Sequence, residues 1–296
     1  MDTFVTIEIV LRNGGREERN SCEHAADRAF HWFQQVESSC TRFDARSEVM
    51  QLTQHVGAPV RVSAVVFEAV RFALKVAEET GGAFDPTVGH TLETLGFNRE
   101  YRTGRAVQTQ IDSSQPVSFH DVLLDTERQT ITLLRPLILD LGAVAKGLAI
   151  DLAAKELRPF ANFAIDAGGD LYLGGLDSRA EKWSVGIRHP RRKDDVIDSF
   201  RVSNQAVCTS GDYQRRAGAG LHGHIINPKT GELPQLASVT VFAADAMLAD
   251  TLSTAAFVLG PSEGMRMLDR IGVDGLMISP ALEKYETEGI NRARPR

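Results

Sequence analysis

The sequence predicts a mixed α+β fold built on antiparallel sheet. Short apolar runs of strand character crowd the second half of the chain, amphipathic helical stretches interrupt them without regular alternation, and several runs are joined by turns short enough for hairpins. The opening residues, MDTFVTIEIV, alternate polar and apolar as a half-buried strand does, and NGGREERN then reads as a polar turn. Between Ala25 and Val36, the side chains of Ala25, Ala29, Phe30, Phe33 and Val36 share one helical face. A second helix follows Ser63, a residue suited to capping, with Val66, Phe67, Val70, Ala73, Leu74 and Ala77 as its buried stripe and Gly81 and Gly82 as its stop. The first 80 residues therefore read mostly as scaffold. From about Val122, VLLD and TITLL flank the turn DTERQ, and NFAI, LYLGG, WSVGI, AVCTS and SVTVFA follow as strands. Helices are expected over 143–157 and 246–259, the second closed by Gly260 and Pro261.

A chain of 296 residues corresponds to about two domains at ~150 residues each, or to one larger two-lobed unit. With no internal repeat, low-complexity tract or long linker, two lobes sharing one core fit better. Hydrophobic residues at 43% and charged residues at 24% are ordinary for a globular chain, which disfavours disorder and coiled coil. Acidic residues (39) outnumber basic ones (33), so no global positive field draws nucleic acid or an anionic membrane surface. Cys22, Cys40 and Cys208 show no CxxC spacing, which argues against a disulfide framework and a thiolate zinc site. No stretch approaches the ~20 apolar residues of a membrane span, and the first residues lack the basic start and apolar run of a secretory signal. The chain as given reads as cytoplasmic, or as periplasmic had an export signal been removed.

Several segments are rich in chemically capable residues. In LDLGAVAKGLAIDLAAKEL, an expected strand ending at Asp140 and Leu141 passes through Gly142 into a helix with Lys146 in its first turn. Either that helix start and lysine hold a phosphate, or the segment is a tight turn with a solvated lysine. Neither GxxxxGK[ST] nor GxGxxG is present. In ADTLSTAAFVLG, Asp250 and Thr254 stand four apart and share a helix face, where they can grip a hard cation; equally, the aspartate can serve the helix dipole and the threonine can bond the preceding turn. In HGHIINPKTGEL, His222 and His224 precede an Asn-Pro turn; two histidines alone are too few for a metal, and a single histidine can act as a base or lie inert at the surface. GGAFDPTVG and IDAGGDLYLGG each combine glycine with a carboxylate able to bond a nucleobase or ribose, or are turns only. VCTSGDYQR offers Thr209, Ser210 and Asp212, and no GxSxG elbow exists for acyl transfer.

Taken in order, FDPTVG, LDLGAVAKG, DAGGD, TSGDY, HIINPKTG and ADTLSTA resemble the successive blocks of the ApbE family, the FAD:protein FMN transferases, with similar gaps between them. The opening MDTFVTIEI is similar to the family's Met-Gly-Thr strand and FDARSEV to its aromatic-xxx-Ser-Glu segment, so the resemblance runs from Met1 to about Gly260. It implies an ApbE-like fold of antiparallel sheets and packed helices, one domain of two interleaved lobes over 1–290; the last six residues, NRARPR (291–296), read from their own composition as a frayed basic tail. The implied activity is Mg²⁺-dependent: FAD is the substrate, its FMN half passes to a threonine hydroxyl of an acceptor flavoprotein, and AMP leaves.

The family pattern implies Mg²⁺ on Asp250, Thr254 and the Ala143 carbonyl, with Ser253 close by. It implies FAD on Met1, Phe43, Ala83, Phe84, Asp85, Asp140, Lys146 and Ile226, with Phe43 and Phe84 offering ring faces for stacking. His224 falls on the family's histidine before the turn and is expected to deprotonate or orient the acceptor hydroxyl. Three positions depart from the pattern: Asp2 replaces a glycine, Asn227 replaces an aspartate, and QLTQ from Gln51 lacks an asparagine. Two other readings stand beside transfer, an FAD pyrophosphatase in which water replaces the threonine and a flavin-binding or delivery protein without turnover. The Asp250 and Thr254 pair favours chemistry over mere binding.

Overall fold

In chain order the computed structural model runs β1 (Val5–Ile9), α1 (Arg16–Cys40), α2 (Glu48–Thr53), β2 (Val60–Arg61), α3 (Ala64–Glu79), α4 (Gly89–Thr94), β3 (Val122–Asp125) and β4 (Thr130–Leu133). It continues through α5 (Gly142–Leu157), β5 (Phe163–Ala167), β6 (Asp170–Gly174), β7 (Trp183–Arg188), β8 (Val196–Val202) and β9 (Gln205–Gly211). The short strands β10 (Arg216–Ala217) and β11 (His222–Gly223), then β12 (Ser238–Ala243), α6 (Ala246–Ile271), β13 (Asp274–Ile278) and β14 (Lys284–Glu286) complete it. The described residues are 3–11, 14–100, 103–111, 115–192, 194–212, 216–217, 222–223 and 225–294.

A seven-stranded sheet in the order β1-β5-β6-β9-β12-β13-β14 forms the backbone of the fold, and each neighbouring pair is antiparallel. The α+β, antiparallel expectation therefore holds. Interior strand β12 is buried along its whole length: Val239 and Val241 join the helical core, while Phe242 joins a second cluster with Trp183, Val185, Phe200 and Val202 of the β7–β8 hairpin. Helices α1, α3, α5 and α6 supply the first cluster. Nearly every side of α5 is apolar or small, because it packs against both α1 and α6.

Several boundaries moved. The stretch REERN belongs to α1 rather than to a turn, since Glu17 and Glu18 favour a helix start and the Gly14 N–H donates to Glu18 at 2.9 Å. At Gly260 (φ 76°) α6 breaks as expected, then restarts with Pro261 and runs on to Ile271. Residues before Asp140 form only an isolated bridge, Ile138 with Val88, in place of the expected strand. A short 3₁₀ turn at Ile290–Ala293 runs into the expected basic tail, and Arg294 pairs with Glu286 and Asp198, so the described part of that tail is anchored by ion pairs.

The joint between α5 and α6 is built closely. At Gly147 a Cβ would stand 2.4 Å from the Ala246 carbonyl oxygen and 2.5 Å from Met247 Cα, so only glycine permits this approach. One turn later Asp151 accepts the Ala246 and Met247 N–H groups at 2.7 and 2.9 Å, serving the start of α6 from the neighbouring helix. Burial pushes the Asp151 carboxyl up from 3.8 to about 6, against the lowering effect of those N–H donors.

Gly147→Ala is expected to cost about 1–3 kcal/mol through backbone overpacking, read as a lowered midpoint in denaturant melts. For Asp151 the folded-state pKa lies above the unfolded one, so its contribution to stability is complete below pH 3.8 and lost as pH rises to about 6. Asp151→Asn should remove that fall from the wild-type profile in thermal melts across the same range; an unchanged slope would assign it to another group.

Candidate active site

The turn Asp140-Leu141-Gly142 is held from both sides before α5 begins. One Asp140 oxygen accepts the Gly142 N–H at 2.8 Å and the other accepts Arg42 Nε at 2.6 Å, while the Asp140 N–H donates to the Pro86 carbonyl at 2.7 Å. One turn into the helix, Lys146 extends toward β6 and α6. Its ammonium pairs directly with Asp170 and lies 3.3 Å from Asp250 Oδ1. The second Asp250 oxygen accepts the Gly147 N–H at 3.1 Å, and Asp170 Oδ1 accepts the Thr209 N–H at 2.8 Å. Asp170 and Asp250 are only 2% and 4% exposed. Two buried carboxylates thus share the Lys146 ammonium, and each also takes a backbone N–H, so burial of both acids is offset by pairing.

A cluster of hydroxyls adjoins the carboxylates. Ser210 Oγ shares hydrogen bonds with Ser253 Oγ at 2.8 Å and Thr254 Oγ1 at 3.0 Å, joining the end of β9 to α6. Ser253 Oγ donates to the Asp250 carbonyl at 2.8 Å, and Thr254 Oγ1 reaches the same carbonyl at 3.4 Å. The Ala143 carbonyl lies 3.1 Å from Thr251 Oγ1, which also reaches the Met247 carbonyl at 2.8 Å. Asp250, Ser253, Thr254 and Ala143 are thus gathered at one junction of α5 and α6. Among the described residues no group of three or more His, Cys, Asp or Glu side chains could hold a metal. The donors here are instead one carboxylate, hydroxyls and a peptide carbonyl, an all-oxygen set of the kind that suits Mg²⁺ rather than a softer ion. Cys208 lies behind the junction, and burial pushes its thiol up, with the Asp250 charge adding to the effect, so it stays protonated.

The remaining expected residues are distributed unevenly. Phe43 lies beneath Arg42, whose guanidinium carbon is 4.3 Å from the ring centre. Ala83 and Phe84 are packed in the interior, and Phe84, 6% exposed within the helical core, presents no open ring face. The Asp85 carboxylate is satisfied locally, accepting the Thr87 N–H and hydroxyl at 2.9 and 2.7 Å and the Phe119 N–H at 3.0 Å. Ile226 is buried. Met1 and His224 lie outside the described residues. At the turn following Ile226, Asn227 Oδ1 accepts the Lys229 N–H at 2.9 Å, so the neutral amide still closes the turn. A cleft of about 470 Å³ opens between this turn and the 81–91 segment, lined by Asp85, His90, Phe119, His120, Pro228 and Lys229 among others.

Sequence reasoning missed three of the residues that organise this region. In IDAGGDLYLGG the sequence singles out neither Asp166 nor Asp170, whereas the structure pairs Asp170 with Lys146. Thr251, one position from the expected aspartate, is the hydroxyl that reaches Ala143. Arg42 carries no motif, although its position beside an aromatic residue in a loop was a weak signal. Lys146, expected to offer an unshared charge, is already paired twice.

The ApbE family's sequence pattern matches residues 1–277 of the chain. A Treponema pallidum protein named FAD:protein FMN transferase is 32% identical over 294 residues, covering 90% of this chain and 80% of that protein. One of the same name from Haemophilus influenzae is 29% identical over 250 residues, covering 79% of this chain and 72% of its own length. In three dimensions, the crystal structure of an ApbE protein from Thermotoga maritima superposes with a TM-score of 0.84 at 29% identity, covering 99% of this chain and 100% of that one.

Proposed function

The chain belongs to the ApbE family, and from that premise we propose that it is an FAD:protein FMN transferase that binds Mg²⁺ at the α5–α6 junction and modifies a threonine of an acceptor flavoprotein. The observation that carries the metal half of this reading is the buried Asp170–Lys146–Asp250 group, with two carboxylates on one ammonium and the Ser210, Ser253 and Thr254 hydroxyls beside it. The family name shared with relatives in Treponema pallidum and Haemophilus influenzae supports the chemistry.

In the proposed reaction the threonine oxygen attacks the phosphorus of the FMN half, the bond from that phosphorus to the bridging oxygen breaks, and AMP leaves with that oxygen. The hydroxyl proton passes to a base, the role we assign to His224. Asp250, Thr254 and the Ala143 carbonyl would hold Mg²⁺, with Ser253 supporting them. When bound, the ion supplies Lewis-acid polarisation and charge neutralisation at the diphosphate. Asp170 holds Lys146 at the junction. The start of α5 adds its fixed dipole, and the lysine contributes positive potential already shared with its two carboxylates. Phe43, Asp140 and the 83–85 segment, with the adjoining cleft, are the proposed seat of the dinucleotide. Because Ala83 and Phe84 are interior, that segment serves by shaping the wall rather than by stacking. No helix among the described residues is long and apolar enough to cross a membrane.

Incubation with FAD, Mg²⁺ and an acceptor flavoprotein is expected to release AMP and give a covalently labelled, flavin-fluorescent band. Free FMN with no labelled band would replace transfer by hydrolysis, and bound but intact FAD would leave a carrier. Asp250→Ala should abolish labelling in a protein with unchanged circular dichroism. Asp170→Asn, which removes one charge from Lys146 without touching the proposed metal ligands, should lower labelling by about 10–100-fold.

A further inference from the structure

Arg42 is a buried guanidinium outside the charged junction. It follows the end of α1, is 5% exposed, and engages its surroundings through two donors and one face. Nε donates to Asp140 Oδ2 at 2.6 Å, Nη2 donates to the Phe97 carbonyl, and the guanidinium carbon stands 4.3 Å from the Phe43 ring centre. Nη1 is buried and has no hydrogen-bond partner among the described residues. Through Asp140 the connection continues to the Gly142 N–H at 2.8 Å and to the Pro86 carbonyl, which accepts the Asp140 N–H at 2.7 Å. One side chain therefore joins the 41–43 loop, the segment after α4, the turn at Pro86 and, through Asp140, the first residue of α5.

We infer that Arg42 is the positioning residue that presets Phe43 and Asp140 for FAD, an inference that rests on the proposed seat of the dinucleotide. A buried ion pair is weak as a stabilising device, because desolvation offsets its attraction, and an unmade buried donor adds a further penalty. Stability alone would favour an apolar side chain at this point. What a guanidinium does that an apolar group cannot is fix geometry. Its Nε holds one Asp140 oxygen while the Gly142 N–H holds the other, its Nη2 is fixed by the Phe97 carbonyl, and its face holds the Phe43 ring in a cation–π contact. Those two groups come from segments distant in sequence, and both are proposed to face the same ligand. A ligand meeting groups already held in place loses less on ordering them, so preorganisation appears in affinity for FAD more than in the chemical step. A lysine can keep the charge opposite Asp140 but lacks the fork that also reaches Phe97.

The test compares wild type with Arg42→Gln, Arg42→Lys, Asp140→Asn and the Arg42→Gln/Asp140→Asn double variant. FAD dissociation constants are measured by fluorescence without acceptor, and KM for FAD and kcat with it. Loss of a charge-assisted contact predicts about a tenfold or greater rise in both the dissociation constant and KM for Arg42→Gln. The kcat at saturating FAD should stay near wild type. Arg42→Lys should recover part of the affinity, which also serves if the glutamine variant does not fold. In the double variant the losses should fail to add, because Arg42 acts through Asp140. Wild-type FAD affinity in Arg42→Gln and Arg42→Lys, or fully additive losses in the double variant, would overturn the inference while leaving the transferase reading in place. A wild-type protein that takes up no FAD would overturn that reading and the inference together.

Discussion

Burial of two aspartates against a single lysine is the constraint on which the rest of this structure depends. Asp170 comes from β6, Asp250 from α6 and Lys146 from α5, so satisfying these charges ties the sheet to both helices at one point. An isolated buried carboxylate is too costly to persist, which makes the placement of Lys146 a condition of the fold. Beside the paired acids stand hydroxyl and carbonyl oxygens, the donor type on which the proposed Mg²⁺ site rests. Gly147 and Asp151 hold α6 close enough to α5 for this arrangement to exist.

A second network lies on the other side of the α5 start. Asp140 faces Arg42, and Lys146 faces Asp170 and Asp250, so a single helical segment serves two differently built regions. The first is organised by a planar guanidinium among loops, the second by buried ions among helices and sheet. This division matches the two demands of moving half of a dinucleotide: the flat ends must be oriented, and charge must be balanced at the phosphorus. It also revises the meaning of Lys146, whose charge is largely committed to protein carboxylates before any phosphate arrives.

Legibility in the sequence followed the range of the interaction. That Asp250 and Thr254 lie on one helix, four apart on one face, was readable because helical periodicity is a local property. Strands with dense apolar runs, such as those giving β9 and β12, were readable for the same reason. By contrast β8, with Asp198, Ser199 and Arg201 in a half-buried strand, has no such pattern, and β13 is short and contains Gly275 packed beneath Leu268. Phe84 shows the limit from another direction. It is expected from the family pattern to offer a ring face to FAD, yet packing turns the ring into the core, because nothing in the local sequence says which way an aromatic side chain will face.

Sequence alone determined the α+β class, the antiparallel hairpins, the break at Gly260 and the set of segments that carry polar chemistry, since each follows from periodicity, turn residues or the order of motifs. Tertiary structure alone decided who is paired with whom. Asp170 meets Lys146, Arg42 meets Asp140, and Thr251 rather than Thr254 meets the Ala143 carbonyl. Each of these contacts except the first joins residues about a hundred positions apart, and all of them depend on how whole helices and strands pack. The physical reason is that charge burial is priced by the three-dimensional surroundings of an atom, which no local run of residues contains.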